Sequence, residues 1–123
     1  MLLNKLYTYE QVEGELPSTL KFKVSINVDH EIFEGHFPGN PITPGVCQIE
    51  MLKEIFSDHL GQDLFFNSIS DVKFISMWVP KESEPVFMDI VLKTTENGYK
   101  INAKIYDDSL VYFKLKGIAN VCE

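Results

Sequence analysis

His36, Gly45 and Glu50 stand within one short stretch, HFPGNPITPGVCQIE, whose first ten positions hold three prolines and two glycines. Such a rigid backbone can hold reacting groups still. A histidine is the side chain best suited to act as a base near neutral pH. A glycine at a helix start offers an amide that lacks an intrahelical acceptor, in a positive dipole field, with no side chain to block a ligand atom. A carbonyl oxygen docked there would be polarised as in an oxyanion hole, where losing one donor typically costs ~3–4 kcal/mol. Glu50 follows on an apolar helix, surroundings that favour the protonated carboxyl and suit a proton donor. Base, carbonyl site and acid together suit proton abstraction beside a carbonyl with departure of a β-hydroxyl, and general acid–base help is worth roughly 10²–10⁴-fold.

These residues need elements to place them. In residues 20–28, Leu20, Phe22, Val24, Ile26 and Val28 alternate with polar neighbours, which predicts a strand with one buried face. DHEIFEGHFPGNPITPG reads as a long loop. VCQIEMLKEIFSDHLG then predicts a helix, with Val46, Ile49, Leu52, Ile55, Phe56 and Leu60 at spacings of three and four and Gly61 as the stop. Thr43 is placed to cap it and Pro44 to occupy its first position. Cys47, Glu50, Glu54 and Ser57 fall on a more polar side. Four strands follow, in SISDVKFISMWV, PVFMDIVLKTTE, YKINAKIYDD and LVYFKLKGIANV, the hairpins turning at ENGYK and YDDSLV. The chain is therefore expected to be α+β, one domain over residues 1–123, with a sheet around a single helix.

Bulk properties narrow the function. Eighteen acids face eleven bases, every base is a lysine, and the formal net charge is −7. Nucleic-acid binding and an anionic membrane surface are both disfavoured by that balance. No apolar run is long enough to span a bilayer, and the N-terminal stretch lacks the pattern of a signal peptide. Cys47 and Cys122 lie far apart, which suits reduced thiols in a cytoplasmic protein. His30 and His59 are read as surface or interface residues, Tyr7 and Tyr9 as early-strand or interface residues, Cys47 as a packed thiol and Trp78 as core or interface.

GHFPGNPITPGVCQIEMLKE resembles the signature of FabZ-type 3-hydroxyacyl-acyl-carrier-protein dehydratases, G-H-F-P-x-x-P-x-x-P-G-V-x-x-x-E. His36, Phe37, Pro38, Pro41, Pro44, Gly45, Val46 and Glu50 all fall in place. The resemblance implies a hotdog fold, a curved antiparallel sheet wrapped around one central helix. It implies dehydration of a 3-hydroxyacyl thioester to a trans-2-enoyl thioester in fatty-acid or polyene-type synthesis. His36 would remove the α-proton, Glu50 of a partner chain would protonate the leaving hydroxyl, and the Gly45 amide would hold the thioester carbonyl. Phe37, Pro44 and Val46 would line the loop and the acyl tunnel. No metal or organic cofactor is implied. The substrate would ride on acyl carrier protein or coenzyme A. The implied assembly is a homodimer, with a trimer of dimers or a heterodimer with a paralogue as alternatives.

The chain also departs from that family. Glu50-Met51-Leu52-Lys53-Glu54 stands where E-A-x-A-Q is usual, so bulky Met51 and Lys53 replace alanines and Glu54 adds a carboxylate one turn from Glu50. KFISMWVP replaces an arginine-rich segment, and carrier docking would then depend on Lys53, Lys73 and Lys81. Two alternatives stay open: a dehydratase-like subunit of weak activity supporting a paralogue, and a hotdog acyl thioesterase, which the histidine–proline signature argues against.

Overall fold

The computed structural model describes residues 1–12, 19–34, 42–81 and 84–122. Strands β1 (Tyr7–Val12), β2 (Thr19–Ile26), β3 (Leu64–Phe74), β4 (Val86–Thr94), β5 (Gly98–Tyr106) and β6 (Val111–Val121) form one sheet. Its order is β1-β2-β4-β5-β6-β3 and every neighbouring pair is antiparallel. Among the described residues one α-helix, α1 (Gly45–Leu60), lies on the inner face, and a single 3₁₀ turn spans Glu31–Phe33. This is the expected hotdog arrangement.

The strands form where side chains alternate. Phe22 and Val24 on β2, Val86, Met88 and Ile90 on β4, Ile101, Ala103 and Ile105 on β5, and Phe113, Leu115 and Ala119 on β6 are all buried under the helix. Met51, Leu52, Ile55 and Phe56 meet them from α1. Each such burial contributes roughly 1.5–3 kcal/mol, far more than helix propensity does. Among the described residues no helix is long and apolar enough to cross a membrane.

The elements differ from expectation at their ends, for local reasons. β2 stops at Ile26, because the Asn27 side chain accepts the Asp29 amide in a turn that takes in Val28. β3 begins earlier and ends earlier than expected. After Phe74 the amides of both Ile75 and Ser76 point to the single carbonyl of Tyr112, so the chain peels off the ladder. The SMWV segment becomes a strap, with Trp78 buried and stacked on Tyr112 at 5.9 Å. At the helix start, Pro44 is the N-cap in extended conformation and no side chain caps it. Thr43 does not cap. As the residue before a proline it is held extended, with its amide on the Trp78 carbonyl at 2.8 Å. The C-terminus behaves as expected, with Gly61 in the left-handed region at φ 65° and its amide returning to the last turn.

Candidate active site

The approach to the helix is pinned from two sides. The Trp78 carbonyl takes the Thr43 amide, and Gln48 Nε2 donates to the Thr43 carbonyl at 3.2 Å. Neither Gln48 nor the Trp78 carbonyl stood out in the sequence. Gln48 sits on the buried side of α1 beside Met51 and Leu52, and that position was the available signal. The Pro44 carbonyl accepts the Cys47 and Gln48 amides at 3.1 Å, which leaves the Gly45 and Val46 amides without an acceptor among the described residues. The aromatic ring of Phe74 lies across Gly45: a Cβ there would stand 2.7 Å from Phe74 Cζ. A side chain at this position would have to push the half-exposed Phe74 ring aside, and the Gly45 amide at the positive end of the helix has no acceptor among the described residues.

Val46, Glu50, Lys53 and Ser57 recur at i, i+4, i+7 and i+11 and form the one side of α1 that its own sheet leaves uncovered. Val46 is 77% exposed, so the apolar residue expected in the core faces outward. The Glu50 side chain is 42% exposed and forms an ion pair with Lys53 at 3.2 Å. It faces a groove of about 400 Å³ that also touches Lys53, Ser57 and Asp58. Five residues advance the helix by about 7.5 Å and turn it by about 140°, so Glu50 points away from the Gly45 of its own chain.

Glu54 has a different setting. It is 6% exposed and its carboxylate accepts the Leu2 and Leu3 amides at 2.8–3.1 Å and the Tyr7 hydroxyl at 3.0 Å. The second carboxylate of the E-M-L-K-E segment is thus a structural acceptor that ties the N-terminal segment to the helix. Burial, and then Glu54, push the Tyr7 hydroxyl above the ordinary tyrosine value. One turn on, Tyr9 donates to Asp58, and burial with that bond pushes it up to about 12. Met51 is wholly buried and belongs to the core.

Cys47 is a packed thiol pushed up by burial and by Glu50. His59 is half-buried, edge-on to Phe22 at 5.2 Å, and His30 caps the 3₁₀ turn by accepting the Ile32 amide. His36, Phe37, Pro38 and Pro41 lie outside the described residues. Of the expected site, the described part is therefore Gly45, Pro44, Val46 and Glu50 on one helix turn and a half.

Beside this helix end, β3 closes one side of the sheet with its outer edge unpaired. Ile69, Val72 and Phe74 point to the inner face yet are 39–52% exposed, and Ile75, Met77 and Val79 continue the apolar strip along the strap. Isolated exposed aliphatics are ordinary, whereas apolar side chains gathered along an open strand edge are the kind of surface that pairing uses.

Comparisons with known proteins bear on this geometry. The family model described as ApeI-like, for the ApeI dehydratase, matches residues 11–111. A 3-hydroxyacyl-[acyl-carrier-protein] dehydratase FabZ of Fusobacterium nucleatum is 32% identical over 98 residues, covering 75% of this chain and 68% of its own. The FabZ of Caulobacter vibrioides is 30% identical over 105 residues, covering 78% and 57%. That of Ligilactobacillus salivarius is 28% identical over 90 residues, covering 68% and 63%. The chain thus spans little more than half to two thirds of the length of these curated relatives. Among solved structures, the dehydratase heterocomplex ApeI:P from Xenorhabdus doucetiae shares the fold at TM-score 0.71 and 22% identity, over 93% of this chain and 97% of that one. A hypothetical thioesterase with coenzyme A from Streptococcus pneumoniae does so at TM-score 0.66 and 11% identity, over 94% and 86%.

Proposed function

The chain belongs to the ApeI-like dehydratase family, and from that premise we propose that residues 1–123 act as one hotdog unit that dehydrates 3-hydroxyacyl thioesters to trans-2-enoyl thioesters. The observation that carries this reading is the helix start itself: a Gly45 amide with no acceptor among the described residues and, on the same helix, an outward Glu50. The amide polarises the thioester carbonyl, which acidifies the α-hydrogen. His36 takes that proton, and the C–H electron pair becomes the new double bond. The β-carbon–oxygen bond breaks, and Glu50 supplies the proton that lets the hydroxyl leave as water. Proton exchange with solvent then resets both groups. The Glu50–Lys53 ion pair has to open for Glu50 to donate, at a cost of about 0–1 kcal/mol for a half-exposed pair.

Glu50 points away from its own Gly45, so it serves the site of a second copy. Two copies joined along β3 would cover Ile69, Val72, Phe74 and Val46 together and bring each Glu50 toward the other's helix start. Phe37, Pro44 and Val46 would then line the acyl channel, with no metal or organic cofactor required. The relatives named for acyl-carrier-protein substrates support a carrier-borne thioester, in lipid or polyene-type synthesis in the cytoplasm.

The test is turnover of 3-hydroxybutyryl and crotonyl thioesters, on carrier protein and on coenzyme A, by wild type, His36→Ala and Glu50→Gln. Loss of about 10²-fold or more in each variant, with fold and association intact, is the expected result. A well-folded wild type inactive on both carriers would replace this reading by the second one. That is a dehydratase-like subunit working with a paralogue, which the heterocomplex of similar fold favours.

A further inference from the structure

The Gly45 N–H belongs to the peptide that joins it to Pro44, so its direction is decided one residue earlier. The ring of Pro44 locks φ, here −61°, which leaves ψ, here 145°, as the one free torsion between this peptide plane and the plane before it. A change in ψ of about 30–40° would carry the N–H from a nearly straight hydrogen bond toward 120°, where the bond weakens steeply. An amide that is to polarise one carbonyl oxygen therefore needs the ψ of Pro44 held.

Gln48 holds the planes on both sides of that torsion. Its main-chain N–H donates to the Pro44 carbonyl at 3.1 Å, and its Nε2 donates to the Thr43 carbonyl at 3.2 Å. The Cys47 amide joins it on the Pro44 carbonyl, also at 3.1 Å. That carbonyl is thereby turned into the helix, and the Gly45 N–H across the trans peptide points out of the helix end. A proline has no N–H, so the carbonyl is the one hydrogen-bonding group by which the Thr43–Pro44 peptide can be held, and its holder must be a donor. One plane further back, the Thr43 amide donates to the carbonyl of Trp78, whose buried ring stacks on Tyr112 at 5.9 Å. Three consecutive peptides leading to the Gly45 amide are thus each fixed, the middle one by a side chain.

Packing alone does not account for that side chain. Gln48 is 3% exposed, and its Oε1 has no hydrogen-bond partner among the described residues. A buried acceptor left unmatched is costly, and a methionine would fill much the same volume beside Met51 and Leu52 without it. A half-satisfied buried amide is the kind of local cost that accompanies a functional geometry.

We propose that Gln48 is a positioning residue for the dehydration: through the Thr43 carbonyl it sets the ψ of Pro44 and so aims the Gly45 N–H at the thioester oxygen. This rests on the reading of Gly45 as the carbonyl site. Buried under the helix start, Gln48 acts through the backbone. It acts on rate more than on binding, because a misaimed amide loses most in the transition state, where the oxygen carries most charge.

The test compares wild type, Gln48→Met and, as a control, Tyr7→Phe. The control also removes a buried hydrogen bond, but at Glu54, about two and a half turns along α1 from Gly45. Turnover is measured on a 3-hydroxybutyryl thioester. Polarisation is read by infrared difference spectroscopy, as the shift to lower frequency of the carbonyl stretch when an isotope-labelled crotonyl thioester binds in a His36→Ala background. In Gln48→Met, kcat is expected to fall about 10–10²-fold with KM within about threefold of wild type, and most of the frequency shift to be lost. Tyr7→Phe should change neither. Gln48→Glu decides the matter should the methionine variant not fold. Its neutral carboxyl still donates to the Thr43 carbonyl and its carboxylate cannot, so its kcat relative to wild type should climb as pH is lowered. Full kcat and an intact shift in Gln48→Met, an equal fall in Tyr7→Phe, or a pH-independent ratio in Gln48→Glu would each overturn this inference and leave the dehydratase reading standing. No frequency shift even with Gln48 in place would overturn Gly45 as the carbonyl site, and this inference with it.

Discussion

Replacing Glu54 by alanine would leave the Leu2 and Leu3 amides and the Tyr7 hydroxyl facing a partly buried space with no acceptor. A charged acceptor lost under buried donors costs more than an average hydrogen bond, so Glu54→Ala should destabilise the fold by about 2–4 kcal/mol in urea unfolding. Glu50→Gln should stay within about 0.5 kcal/mol of wild type, because it gives up only an exposed pair with Lys53. An equal loss of stability in the two variants would remove the distinction between them. The sequence pointed to Glu50 and Gly45 through their spacing, and it misjudged Glu54. The signal was present: Glu54 lies three residues after Met51 and one before Ile55, on the stripe that faces the core. A glutamate read as a neighbour of Glu50 was in fact a neighbour of Tyr7. Nothing in a one-dimensional pattern says that an N-terminal segment will bring two backbone amides to that spot.

At the scale of elements, period-two alternation located β4, β5 and β6 to within a few residues, because both of their faces are decided by the same rule of apolar in and polar out. The rule failed after Phe74, where the alternating aliphatics of the strap serve a stacked Trp78 and an outward-facing strip rather than a ladder. The helical spacing of three and four failed for Val46, which matches the core stripe although its side faces away from the sheet. The outward-facing strip and Val46 are covered by no described part of this chain. That argues for a partner on the β3 edge and gives a direct test. Lysine at Ile69 and Val72 would place two charges in the strip and should raise the dissociation constant of self-association at least about tenfold in sedimentation velocity. Far-ultraviolet circular dichroism should be unchanged, since both positions are already exposed. Association unaffected by both lysines would move the interface elsewhere.

Across the whole molecule, two buried tyrosines stand on well-separated strands of the sheet, β1 and β6. Tyr7 on β1 is tied to the helix through Glu54, and Tyr112 on β6 stacks on Trp78 while donating to Asp107. Burial comes first and the carboxylate partner second in pushing both hydroxyls above the ordinary tyrosine value of 10.0. The sign of the consequence follows from proton counting. Below about pH 10 both states hold the protons and the stabilisation is complete. Above it the unfolded chain releases them while the folded chain keeps them, so stability falls as pH rises toward the folded values. The slope is about 1.4 kcal/mol per pH unit for each tyrosine, roughly 3 kcal/mol per unit for the pair. Tyr9, pushed up to about 12, adds to the fall over the first part of that range. Urea unfolding midpoints should therefore be level from pH 8 to about pH 10 and then drop steeply. Phenylalanine variants test this: Tyr7→Phe and Tyr112→Phe should each remove close to half of the pair's slope, and the double variant nearly all of it. A slope untouched by either substitution would mean that the alkaline transition has another source, and the two tyrosines would lose their place as the groups that fix this fold's upper pH limit.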